Sequence, residues 1–150
     1  MILRDKIQID RSPEEVWRFL QNPALMKEWN RNMKAVVPVS WGEPAENYQY
    51  RVRYKMIGSE SNFLAEFMEY QKPVKLLIHL TGGNLPVKGY IQEIYELSKN
   101  TRGTLLRQRT EVHHSGMHIF SRFLAICIHS VGRLSRKKHL RALKELIETL

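Results

Sequence analysis

The sequence predicts an α+β fold, in which one antiparallel β-sheet packs against a long C-terminal helix and two short helices follow the first strand. Three observations support this prediction. An alternating segment runs directly into a helix-capping sequence, several long alternating segments follow up to residue 113, and one apolar helical stripe extends to residue 150. A chain of 150 residues buries about 70% of its unfolded surface when it folds as one unit. We therefore expect a single domain over residues 1–150.

The first strand and the two short helices are predicted from local sequence. Ile7 and Ile9 alternate with polar residues, which is typical of a half-buried strand. The Ser-Pro-Glu-Glu segment at 12–15 supplies a capping serine, a proline for the first helical position and a glutamate that completes a capping box. An Asn-Pro pair at 22–23 ends this helix and starts a second one, which we expect to end near Trp29.

The middle of the chain is predicted to be an antiparallel meander. In its clearest strand, Tyr48–Met56, the even positions are apolar or aromatic and the odd positions are polar or basic, so one face is buried and the other faces water. Short turns separate this strand from its neighbours, and consecutive strands joined by short turns pair antiparallel. The strands predicted after the second helix are 35–39, 48–56, 62–70, 76–81, 87–97 and 104–113.

Residues 116–150 predict one long helix, because apolar residues recur there at spacings of three, four and six. This stripe extends over about 30 residues, or roughly 45 Å at the helical rise, and must pack against the sheet. Its first half is almost entirely apolar. Its second half carries a group of cations that we call the basic cluster: Arg133, Arg136, Lys137, Lys138, Arg141 and Lys144.

The net charge of +9 is concentrated near the end of the chain, where residues 101–150 contain ten Lys and Arg against three Asp and Glu. One interpretation is weak contact between the basic cluster and an anionic membrane surface. The other is a solvated helix face that needs no partner. Nucleic acid is disfavoured as a partner, because the sequence has neither a zinc-ligand pattern nor a helix-turn-helix.

Location and cofactors are constrained by what the sequence lacks. No apolar run approaches the roughly 20 residues that span a bilayer, and the first residues do not have the layout of a secretory leader. The single cysteine, Cys127, agrees with a reducing compartment, so we expect a cytoplasmic protein.

Neither a cofactor nor a metal ion is predicted from the sequence. It has no glycine-rich phosphate loop, so no cofactor is predicted. His113 and His114 point to opposite sides of a strand and have no nearby Cys or Asp, so no metal site is predicted.

Parts of the sequence resemble a known family. The segment Ile-Asp-Arg-Ser-Pro-Glu-Glu-Val-Trp at 9–17, with Asn-Pro at 22–23 and Glu-Trp-Asn at 28–30, resembles the opening of the polyketide cyclase/dehydrase and lipid-transport proteins of the START-like, or SRPBCC, superfamily. Leu97 followed by Arg-Gly-Thr at 102–104 resembles the penultimate hairpin of that family. The resemblance covers essentially the whole chain. It implies a helix-grip fold, in which a curved sheet wraps around the long helix and a cavity lies between them.

Aromatic side chains are frequent on the faces that are predicted to point inward. Tyrosines offer both a large apolar ring and a hydroxyl, which suits the wall of a ligand cavity. The alternative is a packed core, although such a core would more often use Val, Ile and Leu. The predicted ligand-binding residues are Trp29, Tyr48, Tyr50, Tyr54, Phe63, Phe67, Ile91, Glu93, Gln108, Thr110, Phe120 and Phe123.

The orientation of Glu93 depends on the register of its strand. If Tyr95 faces inward, Glu93 does too, and its carboxyl could serve as an acid, a base or a ligand anchor. In the competing register Ile94 faces inward and Glu93 lies in water. Gln108 and Thr110 are expected to add neutral hydrogen-bonding groups on the last strand.

Two functions fit these residues. The first is binding or transport of a small, largely apolar ligand of lipid, polyketide or aromatic type in the cavity between sheet and helix. The second, which rests on the resemblance, is a polyketide cyclase, dehydratase or aromatase-type reaction that uses Glu93, Gln108 and the cavity tyrosines. The members of the family range from lipid and hormone binders to aromatase/cyclases, so the choice has to be argued from the site. No His–Asp or His–Glu pair is evident in the sequence, which weighs against the enzyme.

Overall fold

The computed structural model describes residues 2–56, 59–83, 85, 88–113 and 137–150. Two short helices, seven strands and the last part of the C-terminal helix are formed by these residues. In chain order they are β1 Ile2–Ile9, α1 Pro13–Leu20, α2 Pro23–Trp29, β2 Met33–Pro38, β3 Gln49–Met56, β4 Ser59–Gln71, β5 Lys75–Gly82, β6 Tyr90–Asn100, β7 Gly103–His113 and α3, the helical residues 137–148.

The strands form one antiparallel sheet in the order β1-β7-β6-β5-β4-β3-β2, so β1 and β2 are its edges. Strands β2 to β7 follow one another across the sheet, which confirms the predicted meander, and β1 pairs with the last of them. The predicted α+β fold is therefore confirmed. The observed strand ends differ from the predicted ones by a few residues, since pairing with neighbours sets where a strand ends.

Both short helices begin at the predicted capping residues. The Ser12 hydroxyl accepts a hydrogen bond from the Glu15 backbone N–H at 3.3 Å, and the Glu15 carboxylate accepts one from the Ser12 N–H at 3.0 Å. The pKa of the Glu15 carboxyl is lowered, mainly by the hydrogen bond that it accepts from the Ser12 backbone. In α2, the Asn22 side-chain oxygen accepts bonds from the N–H groups of Ala24 and Leu25 at 3.0 and 3.4 Å. These side chains satisfy backbone donors that the helix itself leaves free.

The hydrophobic core lies between the inner face of the sheet and the three helices. Its alternating pattern in β3 and β4 is the predicted one up to Met68, which is exposed on the outer face. The pairing with β5 shifts between Phe67 and Glu69, and as a result Tyr70 packs against the core. The buried members of this core are Ile9, Val16, Trp17, Phe19, Leu20, Met26, Trp29, Met33, Tyr48, Tyr50, Val52, Phe63, Ala65, Phe67, Leu76, Ile78, Leu80, Tyr95, Leu97, Leu106, Leu140, Leu143 and Ile147.

The end of α3 is bonded to the segment between β1 and α1. The Asp10 N–H donates to the Glu148 carboxylate at 2.8 Å, and the Arg11 guanidinium donates to the Glu148 carbonyl at 2.7 Å. Lys144 Nζ donates to the Gln8 carbonyl at 2.7 Å and to the Glu148 carboxylate at 2.6 Å. The pKa of the Glu148 carboxyl is lowered, mainly by the hydrogen bond that it accepts from Lys144. These contacts hold the helix against the edge strand.

Residues 114–136, which include most of the predicted C-terminal helix, lie outside the described residues. The predictions for Phe120, Phe123, Cys127, Arg133 and Arg136 therefore concern residues that the structure does not describe. Within the described ranges, no helix has both the length and the apolar character required to cross a membrane.

The turn between β6 and β7 lies against the β1–α1 segment at Gly103. The φ angle of Gly103 is 133°, a value that favours glycine. A Cβ atom on this residue would lie 2.5 Å from the Ile9 carbonyl oxygen and 2.8 Å from the backbone N and O of Arg11. The neighbouring Thr104 hydroxyl donates to the Arg11 carbonyl at 2.8 Å. Glycine is thus required both by the angle and by the close approach of the two backbones.

We predict that Gly103→Ala lowers the free energy of unfolding by about 3 kcal/mol, because the methyl group adds a backbone clash to the strain of a positive φ. Gly42→Ala is the matched control, since Gly42 also has a positive φ, 82°, and no described atom lies within 4 Å of the added Cβ. The control should lose about 1 kcal/mol. Urea unfolding followed by circular dichroism measures both losses, and equal losses would contradict the proposed clash.

Candidate functional site

Aromatic side chains from β3 and β4 form one wall of the interior. The buried rings of Tyr48, Tyr50 and Phe67 have centroid separations of 5.8 to 6.3 Å. Further along the same two strands, Tyr54 and Phe63 make a T-shaped contact at 5.9 Å. Alternate residues of paired strands point to the same side of a sheet, so all five rings face inward. The structure thus brings together five of the residues that we predicted to bind a ligand.

Three more of the predicted binding residues lie on other elements. Trp29, at the end of α2, is buried and its ring meets that of Tyr95 edge to face at 6.3 Å. Ile91 packs partly buried against the core. Thr110 is also partly buried and lies directly opposite Glu93 in the pairing of β6 with β7. The two predicted helix phenylalanines are outside the described residues.

A hydrogen-bonded network joins β6 and β7 on the inner face. Gln108 Nε2 donates to the Tyr95 hydroxyl at 3.2 Å, and the Tyr95 hydroxyl donates to Glu93 Oε2 at 3.4 Å. Tyr95 and Gln108 are buried, and Glu93 is partly buried on the same face. Of the two registers that the sequence allows for β6, the structure has the one in which Glu93 faces inward.

The interior keeps its tyrosines neutral. Burial raises the pKa of Tyr50, Tyr54 and Tyr95, and the nearby Glu93 carboxyl raises each pKa further. A hydrogen bond from Asn30 acts in the opposite direction on Tyr54. The phenols therefore keep their protons near neutral pH, so they act as hydrogen-bond donors and not as bases.

An open cavity of about 460 Å³ is formed by residues of β1, β6, β7 and α3, most of which are exposed to solvent. This volume lies in the usual range for small-molecule sites, roughly 300–1,000 Å³. Gln108 belongs both to the lining of this cavity and to the network with Tyr95. The other lining residues are Arg4, Asp5, Lys6, Glu96, Arg107, Arg109 and Lys137.

The lining of this cavity is predominantly cationic. In the pairing of β1 with β7, Arg4 lies opposite Arg109 and Lys6 lies opposite Arg107. Like charges in directly opposed positions destabilise a sheet. Glu111 offsets part of this repulsion through an ion pair with Arg109 at 3.1 Å. The cavity is therefore a region that favours neutral or anionic groups and disfavours cations.

Among the described residues, the buried polar residues Asn30, Ser61 and Thr104 and the buried Tyr95 are missing from the predicted binding set. Tyr95 lies two residues after Glu93 on one strand, so the alternation of the strand could have identified it. The burial of Asn30 and Ser61 depends on elements that come from other parts of the chain. Local sequence therefore could not have identified Asn30 and Ser61 as buried.

The histidines on the outer face form a separate group. His79 and His113 lie on either side of Tyr90, with ring centroids 4.8 and 4.3 Å from it. His79 points outward, since its neighbours Ile78 and Leu80 are buried in the core. Burial lowers the pKa of His79. No group of three or more His, Cys, Asp or Glu that could hold a metal ion occurs among the described residues.

Comparison with protein families identifies a match over nearly the whole chain. The model of the family described as Polyketide cyclase / dehydrase and lipid transport matches residues 2–148. No curated protein matches the chain.

Solved structures share the fold at low sequence identity. The protein TTHA0849 of Thermus thermophilus has a TM-score of 0.81 at 15% identity, with 99% of this chain and 98% of that chain covered. A START superfamily protein of Mycobacterium smegmatis has a TM-score of 0.71 at 16% identity, with 99% and 97% covered. Protein MLL2253 of Mesorhizobium loti has a TM-score of 0.72 at 15% identity, with 99% and 98% covered. These similarities establish the arrangement of helices and strands, which is the START-like one.

We predict that Tyr95→Phe lowers the free energy of unfolding by about 2 kcal/mol, because Gln108 and Glu93 both lose the hydroxyl that they share. Tyr90→Phe is the matched control, since Tyr90 lies on the same strand but stacks with His113 on the outer face. The control should change the free energy by less than about 0.5 kcal/mol. Urea unfolding measures both values, and a loss at Tyr95 no larger than that of the control would refute a stabilising network.

Proposed function

We propose a ligand-binding function for this chain, which belongs to the polyketide cyclase/dehydrase and lipid transport family. The ligand is a small, largely apolar molecule of lipid, polyketide or aromatic type. It lies between the inner face of the sheet and the C-terminal helix. The family description, which names lipid transport as well as polyketide chemistry, supports a small hydrophobic ligand in general terms.

The observation that carries the proposal is a polar network set within an aromatic interior. Glu93, Tyr95 and Gln108 are linked by hydrogen bonds on the same inner face as the rings of Tyr50 and Phe67. Burying polar groups costs free energy unless they are hydrogen-bonded, and a purely structural core avoids them. A ligand site uses this combination, because apolar walls supply affinity and a few polar groups set orientation.

An enzymatic function is the alternative, and the inward position of Glu93 is what favours it. A carboxyl among aromatic rings, bonded to a phenol, could move a proton in a cyclase or dehydratase reaction. Tyr95 could turn the hydroxyl that it donates to Glu93 towards a developing oxyanion, because burial raises its pKa and keeps the phenol protonated. Gln108 could hold Tyr95 in place for this role.

Weak contact with an anionic membrane is a further proposal for the basic cluster. Lys137, Lys138 and Arg141 are exposed on α3. Lys144 has other contacts, since its ammonium is bonded to the Gln8 carbonyl and to Glu148. Among the described members of the cluster, we therefore assign membrane contact to the three exposed cations, each of which gains about 1 kcal/mol near anionic lipid.

For the enzymatic alternative, we predict that Glu93→Gln lowers kcat by about 100-fold or more on any polyketide-like substrate that the wild-type protein converts. The amide keeps the shape of the side chain but cannot exchange a proton. Glu60→Gln is the matched control, since Glu60 is an exposed carboxylate on β4, away from the cavity lining. Steady-state kinetics measures both, and unchanged turnover in Glu93→Gln would exclude Glu93 as the acid or base.

For ligand binding, we predict that protein purified without denaturation from its own host carries a small molecule. Native mass spectrometry should show the added mass, and solvent extraction should release the compound. Thr110→Trp should lower the occupied fraction about tenfold, because the indole fills space beside Glu93 on the inner face.

The control for this experiment is Ser98→Trp, which places the same side chain at an exposed position of the adjacent strand β6. It should leave the occupied fraction unchanged. Circular dichroism checks that both variants are folded. Unliganded wild-type protein from the host, together with a structure that has no interior cavity, would refute the proposed function.

A further inference from the structure

Four cationic side chains lie together on the outer face of the sheet, where the edge strand β1 pairs with β7. Ile9 and its partner Thr104 are fully buried, so the alternate positions of the two strands point away from the core. The four cations occupy two directly opposed pairs of these outward positions. Opposed Cβ atoms are about 5 Å apart, and the next outward position is about 7 Å along the strand. We call these residues the outer cations: Arg4, Lys6, Arg107 and Arg109.

Three of the outer cations have no carboxylate partner. Arg109 is paired with Glu111 at 3.1 Å. The other three make no ion pair among the described residues. All 15 Asp and Glu residues of the chain lie in the described ranges, so the rest of the chain supplies no further carboxylate. Elsewhere in the sheet a strand cation does have such a partner, as Lys75 has in Glu69 at 3.0 Å.

The outer cations form most of the lining of the open cavity of about 460 Å³. Lys137 also lines it, and the acidic groups of the lining are Asp5 and Glu96. Of these two, Asp5 already accepts a hydrogen bond from the Lys6 backbone N–H at 2.8 Å. Five cations thus oppose two carboxylates. Because directly opposed like charges destabilise a sheet, an anion from outside the chain would stabilise this region.

Lys137 connects the outer cations with the basic cluster. It is the first described residue of α3, and Lys138 and Arg141 are exposed further along this helix. The helix lies alongside β1, since Lys144 Nζ donates to the Gln8 carbonyl at 2.7 Å. The outer cations and the exposed cations of α3 therefore form one continuous cationic surface around this edge of the sheet. The membrane contact proposed for the basic cluster extends onto this surface.

Two arguments favour a lipid head group over a soluble anion or a nucleic acid. Ile2 is on the same outward side of β1 as Arg4 and is 49% exposed. An apolar side chain beside cations suits the boundary between head groups and acyl chains. A largely apolar ligand is also unfavourable in water, so a protein that carries it benefits from direct contact with the membrane in which such ligands dissolve.

We infer that the outer cations bind the phosphate of an anionic lipid, and that they prefer a terminal phosphomonoester to the phosphodiester of other head groups. This inference rests on the membrane contact proposed for the basic cluster, and it adds the residues and the class of lipid. A phosphomonoester carries a charge of about −1.5 to −2 near neutral pH and exposes three acceptor oxygens. The planar guanidinium groups of the three arginines can each donate two hydrogen bonds to such oxygens.

The test measures co-sedimentation of the full chain with two kinds of phosphatidylcholine vesicle at low ionic strength. One kind contains phosphatidic acid, which is a phosphomonoester, and the other contains phosphatidylserine. The contents are adjusted to the same zeta potential, so that the two vesicles differ in chemistry and not in surface charge. We expect the wild-type protein to bind the phosphatidic acid vesicles about tenfold more tightly, because paired hydrogen bonds from arginine add to the charge attraction.

The double variant Arg4→Gln, Lys6→Gln removes one arginine and one lysine from the outer cations. Its preference for phosphatidic acid should fall to about twofold or less. Its melting temperature should equal or exceed that of the wild type, because two opposed like-charge pairs are gone. Arg51→Gln, Lys55→Gln is the matched control, since it removes the same charges from exposed positions of β3, near the other edge of the sheet. The control should keep the tenfold preference.

The outcomes separate this inference from the membrane contact on which it rests. Equal binding of both vesicles by the wild type would overturn the inference and leave the membrane contact standing. A preference that persists in Arg4→Gln, Lys6→Gln would place the phosphate site elsewhere and overturn it too. If neither vesicle binds, the membrane contact and the inference both fail. Tighter binding of glycerol 3-phosphate or of a DNA duplex than of phosphatidic acid vesicles would replace the lipid by a soluble phosphate or a nucleic acid. The wild-type comparison decides even if the double variant does not fold.

Discussion

The contact between the Gly103 turn and the backbone of residues 9–11 is the constraint on which the arrangement of the other elements depends. Arg11 has a central position in it, because its carbonyl accepts the Thr104 hydroxyl and its guanidinium donates to the Glu148 carbonyl. Three segments that are distant in the chain therefore meet at one residue. The position of Gln108 follows from this contact, since it lies on the same face of the same strand, four residues beyond Thr104.

The features that could be predicted from the sequence are those that depend on near neighbours. The caps at Ser12 and Asn22 each involve residues within three positions, and the buried face of β3 follows from simple alternation. The network could not be predicted in the same way. Tyr95 and Gln108 are opposite each other only because the turn at 100–103 sets the pairing of β6 with β7. The direction of the Gln108 amide depends in turn on the carboxylate beyond Tyr95.

The similarity to solved structures shows that the arrangement of the backbone and the identity of the interior side chains depend on different contacts. A TM-score of 0.81 at 15% identity means that the strand order and helix positions persist while most residues differ. The contacts that set the fold here are made largely by backbone atoms, as at Gly103, or by apolar packing that tolerates exchange. The polar groups of the interior are not constrained in this way. They are where members of a family with one fold can acquire different ligands.

The two edges of the sheet have a consequence for how copies of this protein behave towards one another. An exposed edge strand offers free backbone groups to a strand of another chain and can start aggregation. At one edge, β1 carries the exposed cations Arg4 and Lys6. A second copy brought edge to edge would place its own cations against them. At the other edge, β2 ends in Pro38, which has no N–H to donate to a neighbour. Charge repulsion at one side and a missing donor at the other thus protect an open sheet from growing into fibres.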